Sequence, residues 1–205
     1  FSMALTREGE PRFVQSSSCL GWDSRFGLVG GPNSEVFTIA VLGRSLFIGG
    51  SFIAVGGVQA NRIARYDLDT KTWTSLGRGG GNGVNESVTS LVVVGSSLYV
   101  GGFFTEANIG GTQVRVNRVA RYDTLTGTWV GVGISGGNGV NDLVFDMALI
   151  GTDLYVGGTF TNANEGGTRV PASSLVRLNS ITGAWTPVGF AGGNGVDGVV
   201  LTLAV

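Results

Sequence analysis

Three tryptophans, Trp73, Trp129 and Trp185, stand 56 residues apart, and the glycine pairs Gly49-Gly50, Gly101-Gly102 and Gly157-Gly158 recur at intervals of 52 and 56. A period of that length constrains the chain strongly, because each unit is one supersecondary structure that must bury its apolar face against its neighbours. One complete unit reads SVTSLVVVGSSLYVGGFFTEANIGGTQVRVNRVARYDTLTGTWVGVGISGGNGVND. It contains four strand-length apolar segments (VTSLVVV, SLYVGG, NRVARYD and TWVGVG) and no helical period. The links between first and second segments (GRS, GSS, GTD) and between third and fourth (DLDTKT, DTLTGT, NSITGA) have hairpin lengths and turn-forming residues. Each unit is therefore expected to be an up-and-down, four-stranded antiparallel sheet.

The first segments, VFTIAVL, VTSLVVV, VFDMALI and finally VLTLAV, are almost continuously apolar. A strand wet on one face alternates, so this pattern predicts cover on both faces. A sheet covered on both faces by copies of itself is a propeller blade, and the reading is an all-β propeller. Blades are expected at 36–87, 88–143 and 144–199. Residues 200–205 then form the first strand of a further blade. Residues 1–35 form an irregular segment in which GWDSRFGLVGGPNSEVF resembles the remnant of a preceding blade. This partial blade material at both ends favours a section of a longer propeller over a closed four-bladed ring. The further blades, or other protein chains, are the expected partners.

Composition removes several classes of chemistry. The sequence has no histidine, and with it go the commonest general base and the commonest transition-metal ligand. The single Cys19 can form neither an internal disulfide nor a thiolate cluster. A net charge of −1 offers no footprint for nucleic acid, and no apolar run approaches the ~20 residues of a membrane helix. The 37 glycines, beside hydrophobic residues at 42%, suit short strands joined by tight turns rather than disorder.

The glycine pair, a Tyr-Asp about 16 to 20 residues later (Tyr66-Asp67, Tyr122-Asp123) and a tryptophan seven residues beyond the tyrosine resemble the kelch repeat. The fuller pattern LYVGGxF…NRxARYD…TW…G…GGNGVN is similar to kelch-like repeats of secreted and cell-surface proteins. The resemblance covers about residues 36 to 205 and implies a propeller fold and an extracellular or cell-surface setting. It leaves function open, since propellers host binders, scaffolds and enzymes. The third unit departs from it, with Leu178-Asn179 in place of Tyr-Asp. The family also includes a copper oxidase with histidine ligands, and a chain without histidine excludes that chemistry.

GGNGV recurs once per unit, at Gly80-Gly81-Asn82, Gly136-Gly137-Asn138 and Gly192-Gly193-Asn194. The third copy fits a calcium nonapeptide, which makes Asn85, Asn141 and Asp197 the candidate ligands of a calcium site. Such repeats work in tandem about nine residues apart and use carboxylates, whereas these stand 56 residues apart and two of the three are amides. The favoured reading is a turn between blades, with Gly and Asn supplying left-handed backbone, and no cofactor. Asn85 also begins an N-E-S glycosylation sequon. Asp67 and Asp123 are expected to cap hairpin turns. The repeated Arg62, Arg65, Arg118, Arg121 and Arg177 are read as charge ladders between blades. Trp73, Trp129 and Trp185 are read as blade-packing anchors rather than sugar platforms.

In an up-and-down blade, the link from strand two to strand three emerges on the same face as the link to the next blade. The former is the longest and most variable connection, and loops on a rigid scaffold are where recognition usually resides. That face carries Glu106, Asn108, Gln113, Arg115, Asn162, Asn164, Glu165 and Arg169. With no nucleophile–base pair or carboxylate dyad in view, the expected function is a non-catalytic structural or protein-binding module. The alternatives are a lectin-like propeller, or a glycan hydrolase or lyase using carboxylates such as Glu106 and Glu165.

Overall fold

The structure, a computed structural model, describes residues 2–5, 11–14, 30–189 and 192–205. The chain divides into two units, Phe1–Gly31 and Pro32–Val205. In the first, β1 (Ser2–Leu5) pairs antiparallel with β2 (Pro11–Val14), with Met3 opposite Phe13. Most of the segment expected to be a blade remnant, including FGLV, lies outside the described residues, as does Cys19.

The second unit contains three like sheets. The first has β3 (Val36–Leu42), β4 (Ser45–Gly50), β7 (Ile63–Asp67) and β8 (Thr72–Ser75) in the order β3-β4-β7-β8. A two-stranded ribbon, β5 (Ala54–Val55) with β6 (Val58–Gln59), sits in the connection between β4 and β7. The second sheet runs β9 (Val88–Val94), β10 (Ser97–Gly102), β13 (Val119–Asp123), β14 (Thr128–Gly131), with the ribbon β11 (Glu106–Ala107) and β12 (Val114–Arg115). The third runs β15 (Val144–Ile150), β16 (Asp153–Gly158), β19 (Leu175–Asn179), β20 (Trp185–Pro187), with the ribbon β17 (Asn162–Ala163) and β18 (Val170–Pro171). All strand pairings within these sheets are antiparallel, and the three sheets of four make a propeller-like arrangement. Residues 200–205, expected to be a strand, carry no strand pairing. The Val200 N–H donates to the Gly158 carbonyl at 3.2 Å, and the segment is otherwise held by side chains of the third sheet.

The glycine pair that marks the repeat is a spacing device. In each sheet the inner strand carries one extra residue opposite it: Val36 and Thr38 face Gly50 and Gly49, with Phe37 bulged between them. The same shift recurs at β9 and β15. A side chain on Gly101 would sit 2.9 Å from Val144 Cγ1 of the next sheet, and one on Gly102 would run into the Ser87 carbonyl. Glycine is thus the residue that lets one sheet lie against the next.

Packing between sheets explains the apolar first strands. Leu91 and Val93 of β9 join Phe47, Ala40 and Leu42 of the first sheet in one core. Met147 and Leu149 of β15 join Tyr99, Val92 and Val94 of the second in another. Trp129 reaches across so that its Nε1 donates to the Leu76 carbonyl at 3.1 Å, and Trp185 does the same to Val132 at 3.2 Å. Trp73 packs on a separate small cluster with Ile48, Phe52 and Val55, and its buried Nε1 has no acceptor among the described residues.

The hairpin turns between third and fourth strands are built by one side chain. Asp67 Oδ1 accepts the Asp69 and Thr70 N–H groups, and Asp123 Oδ1 accepts those of Leu125 and Thr126. These donors favour the charged form. Hydrogen bonding led by the Thr70 amide at Asp67, and by the Thr126 amide at Asp123, holds both carboxyls below the ordinary carboxylate range. In the third sheet Asn179 Oδ1 accepts Ile181 and Thr182 N–H in the same geometry without a charge. A carboxyl whose folded pKa is depressed contributes stability above its unfolded pKa of ~3.9 and loses it as pH falls through the folded value. Asp123→Asn is accordingly expected to melt below the native protein at pH 7, with the gap narrowing as melts are taken toward pH 2. A gap independent of pH would contradict this account.

Candidate functional site

The loop face between the second and third sheets holds a cleft of about 480 Å³, lined among others by Arg115, Asn117, Arg118, Asn138, Asn141 and Glu165. Its walls come from the ribbon β11–β12 on one side and the loop after β17 on the other. The GGNGV turn forms its floor, contributing Gly136 and Asn138.

Asparagines fix this frame. Asn164, left-handed at φ 60° and 1% exposed, accepts the Ile134 N–H at 3.0 Å and donates to the Thr168 carbonyl at 2.9 Å. Asn108 occupies the equivalent place one repeat earlier, bonding Arg78 N, Arg78 O and Thr112 O. A left-handed backbone is tolerated by asparagine better than by most residues. A side chain on Gly137 would run into the Asn164 amide, and one on Gly139 into the Asn117 carbonyl. The glycines of GGNGV are therefore places where turn and neighbouring loop touch.

The two asparagines of the calcium reading have definite partners, whereas Asp197 is exposed. Asn141 Oδ1 accepts the N–H groups of Thr161 and Asn162, each at 2.9 Å, while its Nδ2 donates to Thr161 Oγ1. Asn85 does the same with Thr105 and Glu106. Both amide oxygens are thus committed to closing the turn on the next loop. No group of three or more His, Cys, Asp or Glu side chains that could hold a metal occurs among the described residues.

Of the eight residues singled out on the loop face, Arg115 and Glu165 line the cleft. Asn108 and Asn164 are buried scaffold, and Gln113 and Arg169 are exposed. Glu106 lies across β11–β12 from Arg115, and Asn162 sits half-buried in β17. Glu165 Oε2 accepts from Arg169 Nη2 at 3.0 Å, whereas its Oε1 is buried with no partner among the described residues. Arg118 adopts φ 61° and donates from Nη1 to the Phe103 and Phe104 carbonyls at 3.1 and 3.4 Å. The charge ladders expected between blades form within them: Arg65 pairs with Asp67 at 3.1 Å and Arg177 with Asp153 at 3.2 Å.

One polar set escaped the sequence reading. The third residue of each inner strand (Thr38, Ser90, Asp146) and Thr202 form a relay between sheets. Thr38 Oγ1 accepts the Leu91 N–H, Ser90 Oγ accepts that of Met147, and Asp146 Oδ2 accepts that of Leu203 at 2.8 Å. The N–H groups of Leu91 and Met147 lie just past the bulge, and each of the three is served by the preceding strand. A polar residue at the third place of every apolar run was the available signal.

No family model matches the chain, and no curated protein matches it. Among solved structures, similarity is found to a chain described as the extracellular domain of a one component system from B. thetaiotaomicron. It has 18% identity and a TM-score of 0.43, covering 76% of this chain and 17% of that one. The structure of YjhT is similar at 18% identity and a TM-score of 0.43, covering 80% of this chain and 54% of that one. The chain thus spans less than two thirds of either, and identities this low leave the functions of those proteins with them.

Proposed function

We propose that the chain is a non-catalytic binding module, a kelch-like propeller section that serves as a structural or protein-binding component of an extracellular or cell-surface assembly. The observation that carries the binding role is the construction of the loop face. The longest connections are pinned from beneath by Asn108 and Asn164, while Arg115, Gln113 and Arg169 are left to solvent above. Rigid support under exposed, repeat-specific side chains is how a recognition surface is preorganised. The kelch-like reading is supported by the places its marks occupy: the glycine pair at the sheet contact, Tyr-Asp at the hairpin, tryptophan against the preceding sheet.

Partners in the form of further blades are supported by the first sheet. Ile39 and Val41 are each 60% exposed, whereas Leu91 and Met147, the counterparts of Ile39 in the following sheets, are 7% and 5% exposed, and Val93 and Leu149, those of Val41, are half-buried. A further repeat unit laid on that face would cover them and supply an acceptor to Trp73 Nε1. The reading needs no cofactor, and a calcium titration is expected to leave the melting temperature unchanged.

Carbohydrate is the second ligand class, favoured by a cleft of small-molecule size rimmed by amides. Incubating the protein with a panel of oligosaccharides is expected to give binding or nothing, without cleavage. Turnover that disappears in Glu106→Gln or Glu165→Gln would replace the binding module with a hydrolase or lyase.

A further inference from the structure

We propose that the cleft between the second and third sheets binds a small oxyanion, a carboxylate or phosphate group on a hexose-sized body. The inference rests on the loop face being a recognition surface and adds the chemical class of its ligand. It begins from charge. Arg115 and Arg118 both line the cleft, and neither takes part in an ion pair among the described residues. The one carboxylate in the lining, Glu165, pairs through Oε2 with Arg169 while its Oε1 has no partner among the described residues, so the two arginines leave the lining net positive.

Two of the amide acceptors around the cleft are spent as well. Asn141 Oδ1 takes two backbone N–H groups, and Asn138 Oδ1 takes the Asn117 N–H at 3.3 Å. The Asn117 and Asn138 amide nitrogens are engaged in turn, by the Asn138 carbonyl and the Arg115 carbonyl. Of the charge the cleft offers a ligand, two guanidinium groups outweigh the single Glu165 carboxylate, with Arg118 steadied through Nη1 by two carbonyls. Arginine forks held in place select oxyanions by geometry as well as charge.

The repeat supplies an internal comparison. Positions equivalent to Asn117 and Asn138 are Asn61 and Asn82 at the preceding junction, bonded to each other at 2.9 Å, so the amides belong to the architecture. Those equivalent to Arg115 are Gln59 and Pro171, those equivalent to Arg118 are Arg62 and Ser174, and Ile109 stands in the place of Glu165. Arg62, Arg118 and Ser174 share the same left-handed backbone, at 66°, 61° and 59°. The fold therefore accepts serine and glutamine at these places, and the arginine pair occurs at this junction alone among the three.

Calorimetric titration with glucuronate, glucose 6-phosphate and glucose tests the proposal. One or both anions are expected to bind at least about tenfold more tightly than glucose, and to weaken as salt is raised. Which anion binds identifies carboxylate or phosphate as the source. Arg115→Gln and Arg118→Ser, each a residue that a sister repeat carries, are expected to reduce anion binding about tenfold. Arg62→Ser at the preceding junction is expected to leave it unchanged. Glucose binding as tightly as the anions, equal binding by the two cleft variants with folding intact, or no binding of either anion would overturn the proposal and leave the module reading standing. Cleavage or conversion of a probe would instead overturn the non-catalytic reading itself.

Discussion

Trp129→Ala is expected to destabilise the repeat unit by about 3–5 kcal/mol, read as a lowered midpoint in urea unfolding. The indole is 2% exposed, lies 5.0 Å from Tyr122 between ring centroids and bonds the Leu76 carbonyl of the preceding sheet. Its loss removes core volume and an inter-sheet hydrogen bond together, and in a stacked array such interface terms decide whether the units hold. Trp129→Phe isolates the hydrogen bond, since Leu76 O then loses its donor, and a cost of about 1–2 kcal/mol is expected. Trp73→Phe is the control. Its Nε1 is buried with no acceptor among the described residues, so removing the N–H is expected to cost far less than at Trp129. Equal costs at the two positions would show that Trp73 has an acceptor in solution, and the contrast between first and later sheets would fail.

The tryptophans also illustrate what the sequence makes legible. Repetition reveals whatever the architecture requires in every copy, and so the strands, the glycine pair, the aspartate turn and the tryptophan could all be read before any coordinates. Asp67 and Asp123 cap their turns as expected, and Asn179 shows that the geometry needs an oxygen acceptor rather than a charge. What repetition hides is direction. Whether Arg65 would pair across or within sheets depends on where a long side chain lies, and it pairs within, two residues along its own strand. The ribbons β5–β6, β11–β12 and β17–β18 were hidden for another reason, as two-residue strands are too short to show a period.

The loop face was legible in outline and misleading in detail. Asn108 and Asn164 read as binding residues because polar side chains on loops usually face water. Burial at 7% and 1% reverses that, because both amides are consumed in holding the loops together. Arg118 was visible only as one of a series of arginines. Its place in the cleft depends on the φ of 61° that turns it off the strand, and no composition rule reports that angle. The cleft itself lies between two sheets, so it exists only once neighbouring units are stacked.

Asn164→Ala is expected to cost about 3–5 kcal/mol, because two buried hydrogen-bond partners lose their mates and alanine adopts a left-handed backbone poorly. The two orphans are the Ile134 N–H and the Thr168 carbonyl, one on each side of the junction between the GGNGV turn and the loop. Asn164→Asp separates the two contributions. Aspartate keeps the acceptor for Ile134 and tolerates the backbone, but an ionised carboxylate has no proton to give Thr168 and is buried beside a carbonyl. Its folded pKa must then lie above the unfolded ~3.9, so the folded state binds the proton more tightly and the variant gains stability as pH falls through that raised value. Thermal melts of native, Ala and Asp proteins between pH 7 and pH 4 read this directly. The Asp variant is expected to approach the native protein at the acid end while the Ala variant stays below both. If the Asp variant instead keeps a constant deficit, the Nδ2 bond to Thr168 contributes nothing, and Asn164 holds its loop through backbone conformation and the Ile134 contact alone.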